Sequence, residues 1–297
     1  MTYSRSPRPR TVAVTGCYGY LGGIISRALQ SAGFTVRALV RTPRPSDPTA
    51  VPYRLGGGNE AGVLEGADAL VHCAYDFGLT RRADIWQVNV EGTRQLMKAA
   101  VSADIRRVIT LSSMSAFEGT KQMYGQAKLA IEEATLAVDG CALRCGLVYG
   151  DHSGGMTGAL RRMTRLPLVP LVAGDSRQFP VYEGDVAEAV VAVATAATVP
   201  AKVIGLAQTD GVAFRSVLEE LAPAGQPPRF VPVPWQVVYA ALRIGELAHL
   251  QLPFRSDSLL GLVHAAPEVP NADILTELGI NVRTMDKAGA PWRTATP

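Results

Sequence analysis

An α/β fold is predicted for this chain, a doubly wound parallel sheet with a smaller C-terminal lobe, and three observations carry the expectation. From Thr11 onward short β-branched runs alternate with longer helical patterns, the text of a parallel sheet covered by helices on both faces. A glycine-rich turn, Thr15-Gly16-Cys17-Tyr18-Gly19-Tyr20-Leu21-Gly22, lies between the first strand and the first helix. After Gly150 the alternation breaks, Pro and Gly become frequent and the strands shorten.

Taken in order, strands are expected at about Thr11–Thr15, Thr35–Val40, Ala69–Ala74, Arg107–Leu111 and Cys141–Arg144. Helices fit between them at Leu21–Ala32, ending at Gly33, at Asp84–Ala103, and at Tyr124–Val138, ending near Gly140. Each carries apolar residues at i, i+3 and i+4. Residues 11–150 therefore form the doubly wound domain, and 179–205 return to it, with a strand and an Ala- and Val-rich helix over Phe179–Ala197. Residues 151–178 and 206–297 make the lobe on the substrate side, in which a Pro-rich stretch leads into a helix around Trp235–Leu250 whose apolar side is expected to pack on the domain. Residues 1–10, with Arg5, Arg8 and Arg10, read as a flexible tail.

With 47% hydrophobic and 19% charged residues, 297 residues are enough to bury a sizeable core. Lys+Arg 29 against Asp+Glu 26 leaves a net charge of +3, with no concentrated basic stripe, so nucleic acid is not an expected partner. Cys17, Cys73, Cys141 and Cys145 form neither a disulfide framework nor CxxC pairs and read as buried residues in a reducing cytoplasm. His72 lies in an apolar strand as a satisfied imidazole, and His152, His249 and His264 are scattered, so no metal site is expected. The apolar stretches 186–199 and 230–252 are broken by Glu188 and by Arg243, Glu246 and His249. Neither reaches the roughly 18 uninterrupted residues of a membrane span, and no membrane partner is expected.

In the glycine turn, Gly16 allows a tight bend, Gly19 lets backbone N–H groups approach a pyrophosphate, and Gly22 lets the helix pack closely. The helix N-terminus then offers unpaired N–H groups to the anion, so the domain is of the Rossmann type and binds a dinucleotide. About 20 residues further on, a cofactor with a free ribose 2′-hydroxyl meets an Asp or Glu. Here stand Val40-Arg41-Thr42, with Arg44 close behind. A guanidinium suits a 2′-phosphate, which favours NADP(H) over NAD(H).

Tyr124 and Lys128 are four apart on one helix face. A phenol titrates near pH 10, and an ammonium beside it stabilises the phenolate and lowers that value. Upstream, Ser112 and Ser113 follow a strand, where a hydroxyl can bind a substrate oxygen. The order of glycine cradle, serines, then Tyr and Lys gives these common residues their meaning.

These residues resemble the short-chain dehydrogenase/reductase superfamily, in its extended branch of NAD-dependent epimerases, dehydratases and flavonol-type reductases. The likeness covers about Thr11 to Ala197 and includes Asp68…His72-Cys73-Ala74, Asn89-Val90-Glu91-Gly92-Thr93, Leu143-Arg144…Val148-Tyr149-Gly150 and Pro180-Val181…Gly184-Asp185-Val186-Ala187. The resemblance implies Tyr124 as acid–base, Lys128 as the residue that contacts the nicotinamide ribose and tunes the tyrosine, and Ser113 as the serine that orients the substrate, with Ser112 as the alternative. It implies cofactor contacts at Gly16, Tyr18, Gly19, Tyr20, Leu21, Gly22, Arg41, Thr42, Ala74, Asn89 and Lys128. Three features depart from the pattern. No Asp stands in Leu55-Gly56-Gly57-Gly58-Asn59, where the family uses one near adenine. Ser113 and Tyr124 are only 11 residues apart, which leaves the site open or closed by the C-terminal lobe. Tyr182-Glu183-Gly184 stands where His and a second Asp are usual, and Asp185 is expected to cap a helix.

The function expected is an NADPH-dependent oxidoreductase acting on a carbonyl or hydroxyl of a small molecule. Two alternatives stay open: a nucleotide-sugar epimerase or dehydratase with tightly bound NAD(P), and an NADP(H)-binding sensor or assembly protein without turnover. The resemblance also implies a homodimer formed through the helices Asp84–Ala103 and Tyr124–Val138, where Leu96 and Leu136 need covering.

Overall fold

The strand β1 (Thr11–Thr15) has Val12, Ala13 and Val14 buried on both of its faces, as the centre of a parallel sheet requires. It feeds through the glycine turn into α1 (Tyr20–Ser31), then β2 (Thr35–Val40), β3 (Ala50–Pro52), α2 (Glu60–Leu64) and β4 (Ala69–His72). A broken helix follows: α3 (Arg82–Ile85), a π-helical turn at Trp86–Glu91, and α4 (Gly92–Ser102). Next come β5 (Arg107–Ser113), α5 (Met123–Leu136), β6 (Cys141–Cys145), β7 (Leu147–Tyr149), α6 (Gly155–Met163), β8 (Val169–Leu171), β9 (Arg177–Gln178), β10 (Pro180–Tyr182) and α7 (Glu183–Thr195). The chain continues through β11 (Val203–Leu206), β12 (Val212–Ala213), α8 (Phe214–Leu221), β13 (Phe230–Pro232), α9 (Trp235–Leu247), α10 (Ser256–Val263) and α11 (Asp273–Glu277). This computed structural model describes residues 11–285 except 153, 199–201, 249 and 251–253. The expected tail 1–10, His249 and the final residues 286–297 of the expected lobe lie outside the described residues.

Seven parallel strands form one sheet in the order β11-β6-β5-β4-β1-β2-β3. The winding reverses between β1 and β4, which opens a crevice at their carboxyl ends, where ligands of doubly wound sheets bind. On one face Ile25 and Leu29 of α1 and Val186 and Val190 of α7 pack on the sheet; on the other, Leu96 and Ala100 of α4 meet Ala13, Leu39 and Leu70. Three two-stranded sheets, β7–β10, β8–β13 and β9–β12, lie outside it. Around them Tyr149, Leu160, Phe214 and Leu218 form a separate small core.

Several boundaries differ from the expected ones for physical reasons. The expected helix Asp84–Ala103 is interrupted by the π-helical turn, which lets Asn89 reach the loop after β4. The expected strand Arg107–Leu111 runs on to Ser113, so both serines belong to the strand itself. Within 179–205, α7 packs on α1, β10 pairs with β7, and β11 is the strand that joins the main sheet beside β6. β3 and α2 were not anticipated, because three residues and five residues are too short to show a period. Asp185 does not cap α7: the cap position is Tyr182, and Asp185 sits buried in the first turn, paired with Arg283. Cys17, Cys141 and Cys145 are buried free thiols as expected, whereas Cys73 is only half-buried.

Candidate active site

The bend after β1 depends on Gly16, whose φ of 70° lies in the left-handed region. A Cβ at Gly22 would stand 2.1 Å from the Gly16 carbonyl oxygen, so only glycine lets α1 begin this close to the turn. α1 has no side-chain cap and no acid in its first turn. The N–H groups of Tyr20, Leu21 and Gly22 precede the first intrahelical bond, from Gly23 to Gly19, and together with the dipole they fit a pyrophosphate. Thr15 Oγ1 accepts the N–H groups of Cys73 and Ala74, both at 3.0 Å, and thereby ties the end of β4 beside the turn.

His72 is the satisfied imidazole expected. Thr93 Oγ1 donates to the Asn89 carbonyl, so it accepts from His72 Nε2–H at 2.9 Å, and His72 Nδ1 accepts from Thr15 Oγ1 at 2.8 Å. Burial, with the Lys128 ammonium second, pushes its pKa down to about 3. The imidazole is neutral across the working range and fixes β1, β4 and α4 together.

At the end of β2, Arg41 and Thr42 are exposed as a cofactor contact requires. Arg41 Nη1 lies 3.6 Å from Asp76 Oδ2, with its side chain 73% exposed, a geometry that contributes little stability and is readily exchanged. Arg44 lies 4.1 Å over the Tyr18 ring, and the Tyr18 hydroxyl donates to Asp47. Tyr18 thus orders the β2–β3 connection that carries Arg44. Asn89 is fully buried, and its amide is spent on the Asp76 backbone, accepting the N–H at 2.7 Å. Through these bonds it shapes the loop after β4.

Ser113, Tyr124 and Lys128 meet where β5 ends beside α5. Ser113 lies beside the Tyr124 side chain and favours its phenolate, and its hydroxyl accepts the Ser115 N–H at 3.1 Å. The alternative, Ser112, is buried and donates to Glu132 at 2.5 Å, and Glu132 in turn forms a two-pronged pair with Arg144. Burial, then Tyr75, pushes the Tyr124 phenol above its ordinary value; Ser113 opposes them and Cys145 adds to them. The expected lowering by Lys128 is absent: the Nζ stands 5.8 Å from the Tyr124 ring centroid and donates to the Leu111 carbonyl at 2.7 Å. Burial brings Lys128 down to about 8, against the influence of Cys145, Cys73 and Glu132.

Three participants escaped sequence reasoning: Tyr75, Phe77 and Asp257. Tyr75 and Phe77, on the loop after β4, form a ring cluster with Tyr124, at centroid distances of 5.1 and 5.6 Å. Arg255 donates to the Phe77 and Leu79 carbonyls and holds that loop. Asp257 of α10 accepts the N–H groups of Met123 and Tyr124, at 2.7 and 3.2 Å, and so caps α5 from the lobe. The short Ser113–Tyr124 connection is therefore closed by the C-terminal lobe. Glu183, buried at the start of α7, accepts from the Tyr20 hydroxyl and pairs with His152, both at 2.5 Å, which ties Asp151 and His152 to the head of α1. The Tyr20 side chain is accordingly spent on packing, which leaves its backbone N–H as the group it can offer to a phosphate. Among the described residues no three His, Cys, Asp or Glu come together as a metal site.

The profile of the NAD dependent epimerase/dehydratase family matches residues 12–205. Ceramide reductase of Caulobacter vibrioides is 28% identical over 233 residues, which cover 75% of this chain and 73% of that protein. A short-chain dehydrogenase/reductase superfamily protein from Agrobacterium tumefaciens with bound NAD has the same fold, with TM-score 0.74 and 20% identity over 96% of both chains. UDP-glucose 4-epimerase of Thermus thermophilus in complex with NAD gives TM-score 0.70 and 18% identity over 96% of this chain and 100% of that one. Since the glycine turn, Ser113, Tyr124 and Lys128 all fall inside the matched span, this chain belongs to the NAD dependent epimerase/dehydratase family, in the extended short-chain dehydrogenase/reductase superfamily.

Proposed function

We propose that the protein is an NADPH-dependent reductase of a small-molecule carbonyl, with Tyr124 as proton donor. A nicotinamide cofactor and a small-molecule substrate accord with the family. The observation that carries the reading is the meeting of Ser113, Tyr124 and Lys128 at the end of β5, with the Lys128 Nζ 5.8 Å from the Tyr124 ring centroid. The phenol keeps its proton at neutral pH, and Ser113 is the neighbour that favours its release to a carbonyl oxygen. A bound nicotinamide dinucleotide supplies hydride for the reduction or accepts it in reverse. Ser113 holds the carbonyl oxygen beside Tyr124, and Lys128 offers its ammonium to the ribose from its seat on Leu111. Arg41, with Thr42 and Arg44, offers a cationic end to a 2′-phosphate, which favours NADP(H). The ceramide reductase relative is consistent with net reduction.

The family description and the epimerase fold favour a second reading, a sugar epimerase or dehydratase in which the cofactor stays bound. Native mass spectrometry and a ketone and aldehyde panel separate the two. A reductase binds NADPH at least about tenfold more weakly after Arg41→Asp, consumes it on the panel, and loses about 10²–10⁴ in turnover in Tyr124→Phe with cofactor affinity held within about twofold. Preference for NADH ends the cofactor assignment, and full turnover in Tyr124→Phe ends the role of the tyrosine. A co-purifying dinucleotide with no net consumption identifies the epimerase or dehydratase.

A further inference from the structure

α9 is apolar nearly all the way round, a pattern that belongs in an interior, yet it lies on the surface. One side, with Trp235, Val238, Leu242 and Gly245, is half-buried or buried, with α10 as its packing neighbour. The other presents Val237, Ala240, Ala241, Ile244, Leu247 and Ala248 at the spacing of a helical stripe, and all six are exposed, Ile244 at 68% and Leu247 at 72%. Sequence reasoning expected the apolar side of this helix to pack on the domain. Half of it packs instead on α10 of the same lobe, and the rest is uncovered.

The surface continues beyond the helix. Of nine large exposed apolar residues among those described, seven fall in this lobe: Leu166, Leu168, Val231, Val237, Ile244, Leu247 and Leu250. The β8–β13 pairing sets Val231 against Pro170, just past Leu168, and the Val233 N–H on the Leu171 carbonyl carries the chain directly into α9. Arg162, Arg165 and Arg229 are exposed beside these leucines, and none of them is ion-paired among the described residues. Arg229 is held next to Leu168 by the bond from the Val169 N–H to its carbonyl, at 2.9 Å.

We propose that this face seats the protein on an anionic lipid bilayer. α9 lies in the plane of the interface, its outer stripe enters the acyl boundary, and Arg162, Arg165 and Arg229 meet anionic headgroups. Charge selects this occupant over a second copy, because an isologous contact here sets the unpaired arginines of both chains near one another. No helix among the described residues is long and apolar enough to cross a membrane, so attachment is peripheral. A search for long apolar spans does not detect this mode, which is why no membrane partner was expected. The proposal is independent of the chemistry at Tyr124.

Flotation of the full chain with vesicles tests it, using phosphatidylcholine alone or with about a third phosphatidylglycerol. The wild type is expected to float with the anionic vesicles and to bind phosphatidylcholine at least about tenfold more weakly. I244S/L247S should lose at least about tenfold in binding to anionic vesicles, and R162E/R165E should lose the preference for them. Thermal melts confirm that each variant is folded, and because the two pairs touch different elements, one folded pair suffices. The proposal is overturned if the wild type stays with the soluble fraction at low salt, or if the folded variants float like the wild type. It is also overturned if light scattering shows a dimer that I244S/L247S splits, since the face then belongs to a second copy.

Discussion

Lys128 is where stability and chemistry oppose each other. The residue is 5% exposed, and its ammonium donates to the Leu111 carbonyl with no carboxylate ion-paired to it among the described residues. Burial lowers its pKa from 10.5 to about 8. The unfolded chain therefore binds the proton more tightly than the folded one, and stability rises with pH between about 8 and 10.5. Below that window the charged form carries the full cost of its burial. Lys128→Met is expected to be more stable than wild type near pH 7, by on the order of 1–3 kcal/mol after allowance for the orphaned carbonyl. The advantage shrinks as the pH climbs through the window, while turnover falls. Urea denaturation of both proteins at several pH values checks this, and a variant less stable at every pH refutes it. At this scale the sequence was legible wherever neighbours in the chain decide a role. Gly16, Gly22, Tyr124 and Lys128 stand where their spacing put them. Ser112 and Ser113 could not be told apart, because the choice rests on Glu132, a helix away, which takes the Ser112 hydroxyl. Asn89 carries a partner that its neighbours in the chain do not announce, its amide being claimed by the backbone of Asp76.

Among elements, α5 shows how the lobe reaches the chemistry. No side chain of α5's own neighbourhood caps it; Asp257 does so from α10, with its charge at the positive end of the helix dipole. That contact fixes the turn carrying Tyr124, and Arg255 two residues earlier fixes the facing loop. Asp257→Ala should cost about 1 kcal/mol of stability, as for loss of a cap, and lower turnover several-fold with NADPH affinity unchanged. Asp257→Asn, which keeps an acceptor without the charge, should recover most of the turnover. Comparable loss of cofactor affinity in the alanine variant contradicts a positioning role. The periodic elements β1, α1, β2, β5 and α5 were readable because one face of each is buried continuously. β3, α2 and the π-helical turn are held by tertiary contacts and carry no period, and a cap supplied from 133 residues away leaves no local mark.

For the whole molecule, two outward surfaces differ in kind and are expected to meet different partners. The resemblance implied a dimer through α4 and α5 that covers Leu96 and Leu136. Leu96 needs no partner, since it is fully buried against Ala13, Leu39 and Leu70 of its own sheet layer. α4 turns Gln95, Lys98 and Val101 outward instead. α5 offers Leu129, Ala130, Glu133, Leu136 and Ala137, partly or fully exposed, a strip of mostly small and apolar residues broken by one carboxylate. Across a two-fold axis such a strip lets helices approach closely, and Lys98 of one copy can answer Glu133 of the other. The α9 stripe offers no such pairing across an axis: Glu246 is already held by Arg243 within the helix, and Arg162, Arg165 and Arg229 are unpaired among the described residues. A homodimer through α4 and α5 is therefore expected, and L136E/A137E, at the end of α5 away from Tyr124, should yield a monomer by light scattering at about 10 μM, where standard interfaces of roughly 800 Å² per partner hold. I244S/L247S should leave the mass unchanged. A wild type that is monomeric at every concentration removes the dimer altogether. A dimer that survives L136E/A137E moves its interface elsewhere, because two carboxylates buried on each side of this strip leave four unpaired charges that no packing of α4 and α5 can absorb.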